Sequence, residues 1–142
     1  MLNPLRLPIH PPLVHFPVAM LVLVWAMLVL RYATGREQWD ARARLLHAIG
    51  VGSIPFALAA ALVDTRGLGF ITSPRWDAPL VWHALGGVAV AATAVGHFFW
   101  RRRYTAAQLV GRLAVADIAL ASVSLWSVLL VSLLAGEMVY AS

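Results

Sequence analysis

His83 and His97, with thirteen residues between them, lie in an otherwise uncharged apolar run, PLVWHALGGVAVAATAVGHFFW, that closes on three arginines. Histidine inside such a segment is costly unless it faces other protein and finds a partner, so ligation or proton relay is the chemistry to look for. If the run is helical, fourteen steps of about 100° bring His97 to within about 40° of His83 and roughly 21 Å along the axis. Two imidazoles on one face at two depths suit two stacked cofactors. The competing reading is a pair of helix-end histidines that hydrogen-bond at the headgroup level. His15 and His47 add one imidazole to each depth, and Asp117 and Glu137 are the carboxylates nearest to them in the expected arrangement.

The elements that must hold these residues follow from composition. The chain has 142 residues, 61% hydrophobic and 12% charged, with a mean hydropathy of +0.80, which is too apolar for a soluble domain of this size. Four runs, at about 13–30, 45–63, 79–100 and 113–134, are each near the roughly 20 residues of helix that cross a hydrocarbon core. The fold class expected is therefore an all-α integral membrane protein, one domain over 1–142, built as an up-down bundle of four transmembrane helices. A membrane barrel needs alternating polar and apolar positions, and these runs are apolar on every face. The first run is too long for the apolar part of a cleavable signal and lacks a basic leader, so it is read as a span.

There is no cysteine, which excludes disulfides and thiolate or iron–sulfur ligation within the chain. The net charge of +5 comes from arginine alone, and because those arginines sit beside spans they are read as a topology signal, with no nucleic acid as partner. The two loops at 31–44 and 101–112 hold eight arginines against three elsewhere. That bias places both termini outside, on the periplasmic or extracellular face, and the two arginine-rich loops in the cytoplasm; the expected localisation, with the family resemblance given below, is a bacterial inner membrane. His10, His15 and His83 then lie at the outer level, and His47 and His97 at the inner level.

Along the chain, residues 1–12 carry four prolines and are expected as an extended lead-in, with Pro11 and Pro12 opening the first helix. Tyr32 and Trp39 read as interfacial anchors. Pro55 should kink the second span, and Gly50, Gly52, Ala57, Ala59, Ala60 and Ala61 make it the small-residue helix, open to close approach by a neighbour or a flat macrocycle. Asp117, Ala121, Ser124, Val128, Ser132 and Ala135 recur at helical spacing and should face inward.

The outer segments His10-Pro11-Pro12-Leu13-Val14-His15-Phe16-Pro17, Leu62-Val63-Asp64, Trp82-His83 and Gly136-Glu137-Met138-Val139-Tyr140 resemble a widespread bacterial family of small four-helix membrane proteins, catalogued as a domain of unknown function. The resemblance covers essentially the whole chain, with Ala135 standing where a second glycine is usual. Relatives fused to Rieske-type iron–sulfur domains imply membrane electron transfer. Separately, the spacing of His83 and His97 is similar to that in helices of two-haem membrane cytochromes b.

Two imidazoles on facing helices are the axial set of a b-type haem, tuned by burial and outer hydrogen bonds. His15 and His83 form the first expected pair, with His10 a surface or propionate-level residue and Glu137, Asp64 and Arg75 candidates for propionate binding or proton movement. His47 and His97 form the second pair, with Asp117 beside them to fix a tautomer. The leading expectation is a membrane electron-transfer subunit with one or two b haems, exchanging electrons with quinol or a periplasmic redox protein. The alternatives are a non-catalytic structural or assembly subunit of a larger redox or photosynthetic complex, and a site for a transition metal or chlorin using His10, His15, His83 and Glu137. Nothing matches a nucleotide loop, a hydrolase triad or a zinc-protease motif, so an accessory or electron-transfer role is expected ahead of a stand-alone enzyme.

Overall fold

Long uninterrupted apolar runs leave the backbone no water to bond, so each closes its own hydrogen bonds as a helix. In the computed structural model, the backbone is described for residues 10–64 and 79–140 and the side chains for residues 13–63 and 81–133. Four helices follow one another: α1 His10–Thr34, α2 Gln38–Asp64, α3 Pro79–Arg102 and α4 Gly111–Tyr140. A short 3₁₀ turn, Ala106–Gln108, lies between the last two. All four are long and apolar enough to cross a membrane. The molecule is a four-helix membrane bundle.

The helices outrun the expected spans. α1 already begins at His10, because Pro11 and Pro12 fall in its first turn, where a missing N–H breaks no helical bond. α2 takes in 38–44, a charged stretch that reads as loop until its partners are known. α4 runs on to Tyr140, beyond the expected end at 134.

α1 packs chiefly on α2 and α3 on α4, and α1–α4 and α2–α3 contacts close the ring, leaving α1 and α3 diagonal. Buried positions recur at alternating steps of three and four: Leu21, Val24, Leu28 and Arg31 on α1; Asp40, Ala43, His47 and Gly50 on α2; Asp117, Ala121, Ser124 and Val128 on α4. That is the register of left-handed helix bundles. On α4 the next step falls on Val131, and Ser132 is exposed, so the inward stripe departs from the expected one there. Ala135 lies outside the described side chains.

Glycine sets the closest approaches. A Cβ on Gly50 would lie 2.9 Å from Met20 Cβ, and one on Gly86 would lie 2.5 Å from Val131 Cγ2. Each therefore fixes how near the two helices of a hairpin come. Gly35, at φ +68°, ends α1 in the left-handed conformation, its N–H bonding the Arg31 carbonyl at 2.8 Å. α2 stays helical through the exposed Pro55, while the Ser53 hydroxyl donates to Gly50 O at 2.7 Å.

Candidate functional site at the loop end of the bundle

One end of the bundle carries the α1–α2 and α3–α4 loops, and here the buried register positions become charged. Arg31 continues the Leu21–Val24–Leu28 stripe by one step. Asp40 precedes Ala43 and His47 in the α2 stripe, and Arg101 follows His97 by one helical turn on α3. Asp117 opens the buried stripe of α4 and is fully buried.

Their side chains form one network across all four helices. Arg31 Nη1 donates to Asp40 Oδ1 at 2.9 Å, Arg44 Nε to Asp40 Oδ2 at 2.6 Å, and Arg101 Nη2 to Asp40 Oδ1. Asp117 Oδ1 accepts from His97 Nε2 at 2.7 Å and stands 3.3 Å from Arg101 Nε. Its Oδ2 accepts from the Tyr32 hydroxyl at 2.7 Å and lies 4.0 Å from Arg31 Nη1. Such a cluster survives desolvation because nearly every oxygen has a cationic or hydroxyl donor.

The network also binds backbone. Arg31 Nη2 donates to Ala106 O at 2.6 Å and Arg44 donates to Arg101 O at 3.1 Å and Tyr104 O at 2.9 Å. These are carbonyls at the end of α3 and in the loop behind it, and two of them, Arg101 O and Ala106 O, also accept one backbone N–H each, from Tyr104 and Leu109. The first hairpin thus reaches across and caps the second.

The inner histidines belong to this assembly. His47 Nε2 lies 3.1 Å from Ala94 O. A carbonyl only accepts, so Nε2 carries the proton and Nδ1 keeps its lone pair; Nδ1 is buried with no hydrogen-bond partner among the described residues. The rings of His47 and His97 touch, with centroids 4.9 Å apart and planes tilted by 54°. Beside them His47, Ala48, Phe98, Arg44, Arg101 and Arg102 line a half-open cavity of about 360 Å³.

The expectation that His47, His97 and Asp117 share one level is met, and Asp117 does fix a histidine tautomer. The expectation that His47 and His97 flank a haem iron does not fit this geometry. Metal–imidazole bonds of about 2 Å on both sides of an ion would put the ring centroids about 6 Å apart, with Nε2 atoms facing the metal. Here the rings are in contact and both Nε2 atoms are engaged by protein.

The opposite, terminal end differs. His83 is half-buried and shares its face with the buried Ala94, His97 and Arg101, all within about 40° around the helix. It therefore faces inward, and one turn further in a Cβ on Gly87 would meet nothing within 4 Å. His15 is exposed and lies roughly 150° around α1 from the buried Leu21, Val24 and Leu28. The expected pairing of His15 with His83 across the bundle is thus at odds with the face His15 occupies. The Glu137, His10 and Asp64 side chains and Arg75 lie outside the described residues.

Sequence reasoning missed Arg31, Asp40, Arg44, Arg101 and Tyr32 as members of the site. From residue type alone the arginines read as loop charge and Tyr32 as an interfacial anchor. The signal was there in register: Arg31, Asp40 and Arg101 fall on the same three–four steps as the apolar core.

The sequence model of one family, described as predicted membrane protein (DUF2231), matches residues 6–142. The chain belongs to that family. No curated protein and no solved structure matches it.

Proposed function

We propose that this DUF2231 protein is a non-catalytic structural or assembly subunit of a larger membrane complex, held rigid at one end by its own buried charges. One observation carries the reading. The chemistry-bearing side chains at the loop end are joined to one another and to loop carbonyls, with His97 on Asp117 and Asp40 shared by three arginines. Groups held in this way position helices. Their outward faces, with Phe56, Trp126 and Leu133 among the most exposed, are apolar surface for lipid or for neighbouring helices. The arginine bias supports an orientation with the loop end in the cytoplasm and both termini outside, and we propose a bacterial inner membrane as the setting.

The test is the absorption spectrum of the purified protein together with a haem assay. A folded, colourless protein that co-purifies with other membrane subunits is the expected result. Haem bound one to one and lost in His83→Ala would overturn it.

A second reading, an electron-transfer subunit with one b-type haem, is favoured by one observation: His83 faces inward beside the open space at Gly87. His83 would hold such a group through one imidazole, and the haem would supply one-electron transfer between quinol or a periplasmic redox protein and the rest of the complex. The second ligand would then come from a residue other than His15 in its present orientation.

A further inference from the structure

The cavity at the loop end is lined by two residues that are each left with an unsatisfied nitrogen. His47 is 1% exposed and Arg101 2% exposed, yet His47 Nδ1 and Arg101 Nη1 have no hydrogen-bond partner among the described residues. Burying a polar group without a partner is costly, so an occupant that pairs with them is favoured. The two make opposite demands: Arg101 Nη1 is a charged donor that needs an oxygen, and His47 Nδ1 is an acceptor that needs a hydrogen.

Charge narrows the choice. Arg31, Arg44 and Arg101 stand around Asp40 and Asp117, and Arg102 is exposed at the cavity rim with its guanidinium 5.6 Å from the centre of the Phe98 ring. Four cations against two carboxylates leave a surplus of two positive charges. A neutral head, such as a quinone, leaves that surplus in place; a phosphate anion reduces it. The cavity also has an apolar wall, Ala48 and Phe98, and lies at the end of membrane-crossing helices, where basic pockets receive lipid headgroups.

We propose that this cavity is a binding site for the headgroup of an anionic phospholipid bearing a hydroxyl, of the phosphatidylglycerol type. The phosphate oxygens accept from Arg101 Nη1 and lie near Arg102, the glycerol hydroxyl donates to His47 Nδ1, and the first methylenes of the lipid run along Phe98. Arg44 is committed to Asp40 and to two carbonyls, so it contributes charge but no further hydrogen bond. Phosphatidylcholine lacks the hydroxyl and the net charge, and inorganic phosphate lacks the apolar tail.

The test uses the full chain in detergent micelles, with the unfolding temperature read against added phosphatidylglycerol, phosphatidylcholine or inorganic phosphate, and bound lipid counted by native mass spectrometry. Phosphatidylglycerol should raise the midpoint by about 5 °C and remain bound at one per chain. Ala48→Trp, an exposed position outside the ion-pair network that lines the cavity, should fill the space and abolish the rise. Arg102→Ala should at least halve it, and both variants should unfold within about 2 °C of the parent when no lipid is added. An equal rise with phosphatidylcholine, or a full rise in both variants, would overturn the site. A full rise with inorganic phosphate alone would overturn the lipid assignment and leave a free-anion site. Should Ala48→Trp fail to fold, loss of the retained lipid from Arg102→Ala decides in the same way.

Discussion

The two ends of this bundle are made from the same kinds of helix and differ in what closes them. At the loop end, three arginines, two aspartates, two histidines and a tyrosine interlock across all four helices. Toward the terminal end the described core is apolar: Leu21, Ala94 and Val128, packed by Val18, Val51, Ile54 and Val90, with glycine at the close approaches. Apolar helix faces in lipid have no hydrophobic drive to choose one another, whereas hydrogen-bonded charges specify partners and register. The loop end therefore fixes which helices meet and at what depth, and the terminal end is free to vary in fine packing.

The largest effect should come from leaving one charge of the lock without its opposite. Asp40→Ala strands Arg31, Arg44 and Arg101 together and should cost about 3–5 kcal/mol of unfolding free energy in micelles. A loss below about 1 kcal/mol would remove the contrast between the ends. Next is Gly86→Leu, which drives a side chain into Val131 and should cost about 1–3 kcal/mol by overpacking, with α3 and α4 pushed apart. Tyr32→Phe removes one donor from Asp117 while leaving the arginines in place, and about 1–2 kcal/mol is expected. The smallest effect belongs to the terminal half: Ser132→Ala, at an exposed position, should fall within about 0.5 kcal/mol of the parent.

Much of this fold is legible from residues alone. Apolar run length fixes four spans, because a bilayer sets the length a helix needs, and the spacing of Asp117, Ala121, Ser124 and Val128 gives the inward face of α4. The shared depth of His47, His97 and Asp117 is legible too, since antiparallel helices joined by short loops bring those positions to one level. What they do there is not. A histidine reads the same in sequence whether its Nε2 meets a metal, a carbonyl or a carboxylate, and only the neighbouring helix decides. Arg31, Arg44 and Arg101 escaped for a related reason. An arginine at a span end has two uses, anchoring topology from the loop or pairing inward. Hydropathy registers both as the end of the span, whereas the heptad register distinguishes them. His15 shows the reverse: its place in a motif suggests chemistry, whereas it stands exposed, roughly 150° around α1 from the buried stripe.

Buried ion pairs at the loop end lock the first hairpin to the second. A double-mutant cycle between Asp40 on α2 and Arg101 on α3 tests it most directly, using Asp40→Asn, Arg101→Gln and the double variant, with unfolding followed in mixed micelles. Each single change should be costly, the second should add much less than its own single cost, and the coupling between the sites should be about 2–3 kcal/mol. Additive losses, with a coupling near zero, would contradict it and leave the network as a set of independent interfacial charges.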